Sequence, residues 1–86
     1  MYYVYILKSI KDGNIYTGYS NNLKRRIEQH QLGLVKSTKN RLPIKLIYYE
    51  AFLDKKDAQK REKYLKSGGK AKISLKLQIK NSLESK

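Results

Sequence analysis

Three segments of the chain are dense in apolar and aromatic residues and have the length of β-strands: Met1–Ser9, Ile15–Tyr19 and Ile44–Phe52. The first carries apolar residues at both odd and even positions, which predicts a strand buried on both faces. The third follows Pro43 and shows the same pattern, so we predict that it is central or well covered.

The residues between the first two segments favour a hairpin, because Asp12-Gly13 is typical of a two-residue turn with positive φ. Such a turn places odd positions of the first strand opposite even positions of the second. Paired residues project to the same side of a sheet, so Tyr5 and Tyr16 are predicted to share one face.

A first amphipathic helix is predicted after the hairpin, with Ser20 or Asn21 as its N-cap and Gly33 as its terminator. Leu23 and Ile27 have the spacing of its buried stripe. The following residues, 34–41, are polar and basic and are predicted to form a loop.

A second helix is predicted to start at the N-cap Asp54 and to end at Gly68-Gly69. On it, Ala58, Glu62 and Leu65 fall on one face, which places a carboxylate inside the stripe that packs against the sheet. A buried charge costs several kcal/mol, roughly, unless a cation compensates it. Glu62 is therefore predicted to face either an arginine or a metal ion.

Between Lys70 and Lys80 apolar residues alternate with basic or polar ones, which favours a half-buried strand over a helix. Together these elements predict an α/β (α+β) fold: a small, central, three-stranded antiparallel sheet flanked by helices. We predict one domain over residues 1–81 and a flexible tail over 82–86.

The charge of the chain points to a polyanionic partner. Its 20 Lys and Arg exceed its 7 Asp and Glu, giving a net charge of +13, and nucleic acid is the first candidate, with anionic membrane as the rival. Because no apolar run approaches a membrane span and no signal-peptide pattern is present, we expect a cytoplasmic protein without a membrane partner.

Composition also limits the chemistry. The absence of cysteine excludes a disulfide framework, a thiol nucleophile and a zinc ribbon. The single histidine excludes a histidine-rich metal site, so any metal must be a hard cation held by carboxylate and water.

On the first predicted helix, Arg26 and His30 lie one helical turn apart and face the same way, flanking the buried stripe.

The order and spacing of several short motifs resemble the GIY-YIG nuclease family, in particular its small single-domain bacterial members. The resemblance runs from Tyr2 to about Lys66 and is carried by residues in the first two strands, the first helix and the second helix: Tyr3-Val4-Tyr5, Tyr16-Thr17-Gly18, Asn22-Leu23, Arg26, His30 and Glu62. It implies a three-stranded antiparallel sheet with flanking helices and cleavage of a phosphodiester with one divalent metal ion.

The resemblance also implies a role for each matching residue. Tyr16 would activate the attacking water, Tyr5 would position water or phosphate, and Arg26 would neutralise the phosphate. Glu62 would hold the metal, and His30 would support the site. With so few protein ligands, we expect one Mg²⁺ or Mn²⁺ ion, bound weakly without substrate, and no small-molecule cofactor.

The chain departs from the family pattern at several positions. Tyr3 replaces a glycine of the first motif, and Thr17 replaces an isoleucine of the second. Tyr19 stands where excision-repair relatives carry a lysine, which argues against a lysine-assisted base. The family often has an asparagine near its C-terminal end, but the spacing of Asn81 does not support carrying that role over.

DNA is the predicted substrate, including branched, nicked or single-stranded forms. The predicted contacts to it come from the second strand, the first helix and the following loop: Gly18, Tyr19, Asn22, Arg25, Lys36 and Lys39. Two alternatives remain open, both using the same basic surface. One is a non-catalytic nucleic-acid-binding module, and the other is a factor that binds RNA or the ribosome, with exposed tyrosines such as Tyr19 stacking on bases.

Overall fold

A three-stranded antiparallel sheet with helices packed on both faces forms the protein, seen here in a computed structural model that describes residues 1–84. The elements in chain order are β1 (Tyr2–Ser9), β2 (Ile15–Ser20), α1 (Leu23–Gln31), a short 3₁₀ turn (Lys39–Arg41), β3 (Ile44–Phe52), α2 (Lys55–Lys66), α3 (Gly69–Gln78) and α4 (Lys80–Glu84). The predicted fold class is confirmed. Within the described residues, no helix has both the length and the apolar composition needed to cross a membrane.

Strand β1 lies at the centre of the sheet, between β2 and β3. Its even residues Val4 and Ile6 pack with buried residues of α2 and α3. Its odd residues Tyr5 and Leu7 pack on the opposite face with apolar residues of α1. The prediction that this strand is buried on both faces is therefore confirmed, and the two faces have different roles, because only the face of Tyr5 carries the candidate site.

The hairpin between β1 and β2 has a longer loop than predicted. The amide of Ser9 donates to the carbonyl of Asn14 at 2.9 Å, so the loop comprises the four residues Ile10–Gly13. Gly13 adopts a φ of 74°, but no residue other than glycine has positive φ in residues 1–84, so Asp12 cannot form the two-residue turn. The longer loop shifts the register by two residues, which preserves the faces: Tyr5 pairs with Gly18 and Leu7 with Tyr16.

Strand β3 is an edge strand, so of the two predicted possibilities, central or well covered, the central position was wrong. Its pairing with β1 contains an irregularity between Ile6 and Leu7, because Ile6 pairs with Tyr48 while Leu7 pairs with Leu46. This bulge changes which parity faces which side. Residues such as Leu46 therefore pack beside α1 and residues such as Phe52 beside α2 and α3, which explains the apolar residues at both parities without a central position.

The ends of the first two helices follow local side-chain chemistry. Asn22, rather than the predicted Ser20 or Asn21, is the N-cap of α1, and its side chain accepts from the amide of Arg25. The Ser20 hydroxyl instead accepts from the amide of Asn22, one step before the helix. The predicted cap of α2 is confirmed, since the Asp54 carboxylate accepts from the amide of Lys56 at 2.7 Å.

The segment predicted as a strand over Lys70–Lys80 is mostly helix α3, and that prediction was wrong. Every second residue of the segment is apolar, so every fourth residue is apolar too, and this second spacing is helical. Ala71, Leu75 and Ile79 form the buried stripe, whereas Ile73 and Leu77 are exposed. Residues 82–84 of the predicted tail continue as α4, and residues 85 and 86 lie outside the described part.

Candidate active site

The centre of the site is the buried phenol of Tyr5, which crosses over its strand neighbour Gly18. Only 1% of Tyr5 is exposed. A β-carbon added to Gly18 would overlap the ring and hydroxyl of Tyr5. Gly18 is itself buried, so the absence of a side chain there makes room for Tyr5, whereas the sequence predicted a contact with nucleic acid at this residue.

Replacing Gly18 with alanine is expected to lower the free energy of unfolding by about 1–3 kcal/mol, because the added methyl group overpacks a buried site. Urea denaturation of the two proteins measures this difference. In a background with Tyr5→Leu, which shortens the overlapping side chain, the same change should cost much less. An equal cost in both backgrounds would show that the Tyr5 ring is not the cause.

Tyr5 begins a buried chain of hydrogen bonds that passes through the imidazole of His30. The Tyr5 hydroxyl lies 2.8 Å from Nε2 of His30, and Nδ1 of His30 lies 2.7 Å from Oγ1 of Thr38. His30 is 0% exposed and Thr38 is 1% exposed. Both ring nitrogens are thus engaged, which fixes the orientation of the imidazole against the phenol.

The environment keeps both members of this chain neutral. Burial, and after it the positive charge of Arg26, lower the pKa of His30 to about 4. Burial also raises the pKa of Tyr5 above its ordinary value of 10, and Arg26 partly offsets that rise. A neutral imidazole has one donor and one acceptor nitrogen, so Tyr5 and Thr38 take opposite hydrogen-bonding roles toward it.

Tyr16 reaches the same imidazole from the edge strand β2. Its ring meets the ring of His30 edge to face, with centroids 5.3 Å apart and planes inclined by 63°. The ring of Tyr5 makes a similar contact at 5.6 Å. Tyr16 is only partly buried, and its hydroxyl accepts from the Ser37 hydroxyl at 3.4 Å. The two tyrosines predicted to share a face therefore converge on His30, and the hydroxyl of Tyr16 is the more accessible one.

Arg26 lies one turn before His30 on α1, as predicted, and is partly buried. Its Nη1 donates to Oε1 of Gln29 at 3.1 Å. Its charge acts on the pKa of both Tyr5 and His30, which places the guanidinium at the same centre.

Arg26 also lines two surface clefts. One, of about 430 Å³, includes Tyr19, Asn22 and Arg25. The other, of about 630 Å³, includes Lys36. Four of the predicted nucleic-acid contacts thus line clefts that Arg26 also lines, while Lys39 is exposed in the 3₁₀ turn. Tyr19 is not exposed as predicted, because its ring is partly buried against the core around Val4 and Ile6.

Glu62 approaches this centre from helix α2. Its negative charge is one of the influences that raise the pKa of Tyr5. Its side chain is 22% exposed, and its Oε2 lies 3.0 Å from Nζ of Lys66. Ala58 and Leu65 are fully buried as predicted, but Glu62 lies at the margin of their stripe. Its ion pair is with Lys66 and not with the arginine considered from the sequence.

A second polar network fixes α2 against β3. Arg61 donates to both oxygens of Glu50, through Nε at 2.9 Å and Nη2 at 2.9 Å, and the Tyr48 hydroxyl donates to Glu50 at 2.6 Å. Burial alone would raise the pKa of Glu50, but these hydrogen bonds bring it below its usual value. The bidentate pair joins α2 to β3 one residue before Glu62.

The sequence analysis missed several residues of these arrangements, among them Thr38, Glu50 and Lys66. Thr38 lies in a segment without periodicity, so nothing local marks it. Glu50 was interpreted only as part of a strand. Lys66 had a usable signal, because it follows Glu62 by four residues on the same helix.

The donor atoms near Glu62 suit only an open metal site. No cluster of three or more His, Cys, Asp or Glu occurs among residues 1–84. A single carboxylate whose charge reaches the phenol of Tyr5 fits a hard cation that takes its remaining ligands from water and from a substrate phosphate.

The chain is similar to known proteins over most of its length. The model of the GIY-YIG catalytic domain matches residues 1–74. A UPF0213 protein of Clostridium perfringens is 52% identical over 67 residues, covering 77% of this chain and 71% of the relative. One from Staphylococcus saprophyticus is 44% identical over 72 residues, covering 83% and 87%.

A solved structure shows the same fold. The solution NMR structure of a UPF0213 protein from Bacillus halodurans superposes with a TM-score of 0.56 at 38% identity, covering 93% of this chain and 86% of that one. The family match, the sequence relatives and this fold agree with one another. The chain therefore belongs to the GIY-YIG catalytic domain family, a family of nucleases.

Proposed function

We propose that this protein is an endonuclease that hydrolyses phosphodiester bonds in DNA with the help of one divalent ion, Mg²⁺ or Mn²⁺. The observation that carries the proposal is the convergence of Tyr5, Tyr16 and Arg26 around His30, with Glu62 close enough to act on Tyr5. These groups meet three needs of phosphodiester hydrolysis: an activated water, neutralisation of the developing negative charge, and help for the leaving oxygen.

The two phenols take different roles because their surroundings differ. Tyr16, whose hydroxyl is accessible, relays the proton of the attacking water: its oxygen takes up that proton while its own hydroxyl proton passes to solvent. Tyr5 is buried and held neutral, so it serves as a fixed hydrogen-bonding group that orients water or phosphate. His30 holds the Tyr5 hydroxyl through Nε2 and is itself held by Thr38.

Arg26 and Glu62 supply the charges. Arg26 pairs with the non-bridging oxygens of the phosphate, where negative charge grows in the transition state. Glu62 provides the hard oxygen ligand for the ion, which when bound would acidify water and stabilise the leaving oxygen. With one carboxylate, the ion is held weakly until a phosphate adds further ligands.

The clefts on either side of Arg26 are proposed to hold the DNA backbone. Tyr19, Asn22 and Arg25 line one of them and Lys36 the other. Lys39 is exposed beyond them and adds positive charge along the same path. The absence of cysteine supports action in the reducing cytoplasm.

Cleavage assays on labelled duplex, nicked, branched and single-stranded DNA test the proposal. In Mg²⁺ or Mn²⁺ the wild-type protein should cut at least one of these substrates, and EDTA should stop it. Tyr16→Phe is expected to slow cleavage about 100-fold, and Glu62→Gln should remove the metal-dependent activity, both with DNA binding retained. No cutting under any of these conditions, with normal binding by all three proteins, would exclude the enzyme.

The second candidate is a binding module for DNA or structured RNA without useful turnover. It is favoured by the net charge of +13 and by the pairing of Glu62 with Lys66 in the free protein. A binding module should lose affinity steeply with salt. It should also depend more on surface lysines such as Lys36 and Lys39 than on Glu62. Competition between DNA and RNA of matched sequence and structure shows which of the two nucleic acids such a module would bind.

A further inference from the structure

Lys66 makes two contacts within the candidate site, although it is not among the motif residues named above. Its Nζ lies 3.0 Å from Oε2 of Glu62. The same nitrogen lies over the ring of Tyr16, 5.9 Å from its centroid. An ammonium group therefore stands between the carboxylate and the more accessible phenol of the site.

This position differs from that of an ordinary pair on a helix surface. Pairs four residues apart on a helix are usually well solvated and contribute little. Here the Glu62 side chain is only 22% exposed, and the ammonium also has an aromatic face beneath it, which attracts cations. Both features favour the position of the Lys66 ammonium at Glu62, while the Lys66 side chain itself is 50% exposed and can therefore move into solvent when it is displaced.

The ammonium and a divalent ion would compete for the same carboxylate. Mg²⁺ binds a carboxylate oxygen at about 2.1 Å, so an ion on Oε2 would lie within a few ångströms of Nζ. At that separation the two positive charges repel each other strongly. One must leave when the other binds.

We propose that Lys66 neutralises Glu62 in the free protein and must be displaced when the divalent ion binds. The inference rests on the proposed metal site at Glu62. Lys66 is thus an internal competitor that weakens metal binding until a substrate phosphate, which supplies both a ligand for the ion and a new partner for the released ammonium, is present.

The test measures Mn²⁺ binding to the full chain without nucleic acid, by the EPR signal of free Mn²⁺. An exposed ion pair is worth about 0.2–1 kcal/mol, or roughly a one-and-a-half- to fivefold change in affinity. Lys66→Met should therefore bind Mn²⁺ about one-and-a-half- to fivefold more tightly than Lys63→Met, which removes the same charge from another exposed position of the same helix. Circular dichroism confirms that both variants are folded.

A second measurement follows the displacement itself. In wild-type protein the ε-methylene protons of Lys66 feel the ring current of Tyr16, and addition of Mg²⁺ should move their NMR resonances toward the values of a free lysine. Equal Mn²⁺ affinities of the two lysine variants, or Lys66 resonances that stay in place at saturating Mg²⁺, would overturn the inference alone. Unchanged Mn²⁺ affinity in Glu62→Gln would instead overturn the metal site of the proposed function.

Discussion

Replacing Arg26 with alanine is expected to slow DNA cleavage about 1,000-fold at saturating substrate. Cationic groups aimed at a transferring phosphoryl group commonly contribute this much. Arg26 is suited to that role because its charge reaches both Tyr5 and His30 and because it lines both clefts. Single-turnover kinetics with excess protein measure the rate without interference from product release.

The matched control is Arg25→Ala, which removes the same charge one residue away. Arg25 is exposed and lines only the cleft beside Tyr19. Arg25→Ala should therefore weaken DNA binding more than it slows the cleavage rate at saturating substrate. It should also make the binding less dependent on salt. Arg26→Lys retains the charge without the planar guanidinium, so its cleavage rate at saturating substrate should fall between those of the wild type and Arg26→Ala. A saturated rate in Arg26→Ala within tenfold of wild type would exclude Arg26 from the transition state.

Acidification from pH 7 to pH 4 is expected to lower the free energy of unfolding by about 3 kcal/mol through His30 alone. The pKa of this residue is about 4 in the folded protein against an ordinary value of 6.5. Between these values the unfolded chain takes up a proton that the folded chain excludes. The contribution is therefore fully present above pH 6.5 and is lost as the pH falls toward 4.

Urea denaturation at several pH values measures this loss, and NMR titration of the His30 ring gives its pKa directly. Since the chain has one histidine, His30→Gln should be less stable overall but nearly independent of pH between 5 and 6.5. The carboxylates act at lower pH: Glu50, whose pKa lies below its usual value, loses its contribution only in stronger acid. A His30 resonance that titrates near pH 6.5 would contradict the buried, neutral imidazole.

Several parts of the candidate site could be predicted because they depend on short-range geometry. Tyr5 and Tyr16 share a face because side chains alternate along paired strands, and even a wrong loop length changed the register only by two residues. Arg26 and His30 share a face because they are four residues apart on one helix. The cap of α2 at Asp54 follows from its own carboxylate.

Other parts were hidden because they depend on contacts between distant segments. Nothing in the sequence around Thr38 shows that its side chain will reach His30. The two residues are eight positions apart and joined by an irregular segment, so no repeating pattern predicts their contact. The bulge in the pairing of β3 and the helical conformation of α3 depend on which apolar residues become buried against the sheet. An alternating pattern satisfies both the strand and the helix spacing, and packing of Ala71, Leu75 and Ile79 selects the helix.

By itself the sequence determined the elements near the hairpin and the first two helices, the two faces of β1, and the excess of positive charge. These features arise from residue preferences and periodicities that act over a few positions. The tertiary structure alone decided that Tyr5 would cross Gly18 to reach His30, and that Lys66 would stand at Glu62. Such contacts are chosen by the packing of whole elements, because a side chain of ordinary length has many possible partners until the backbone around it is placed.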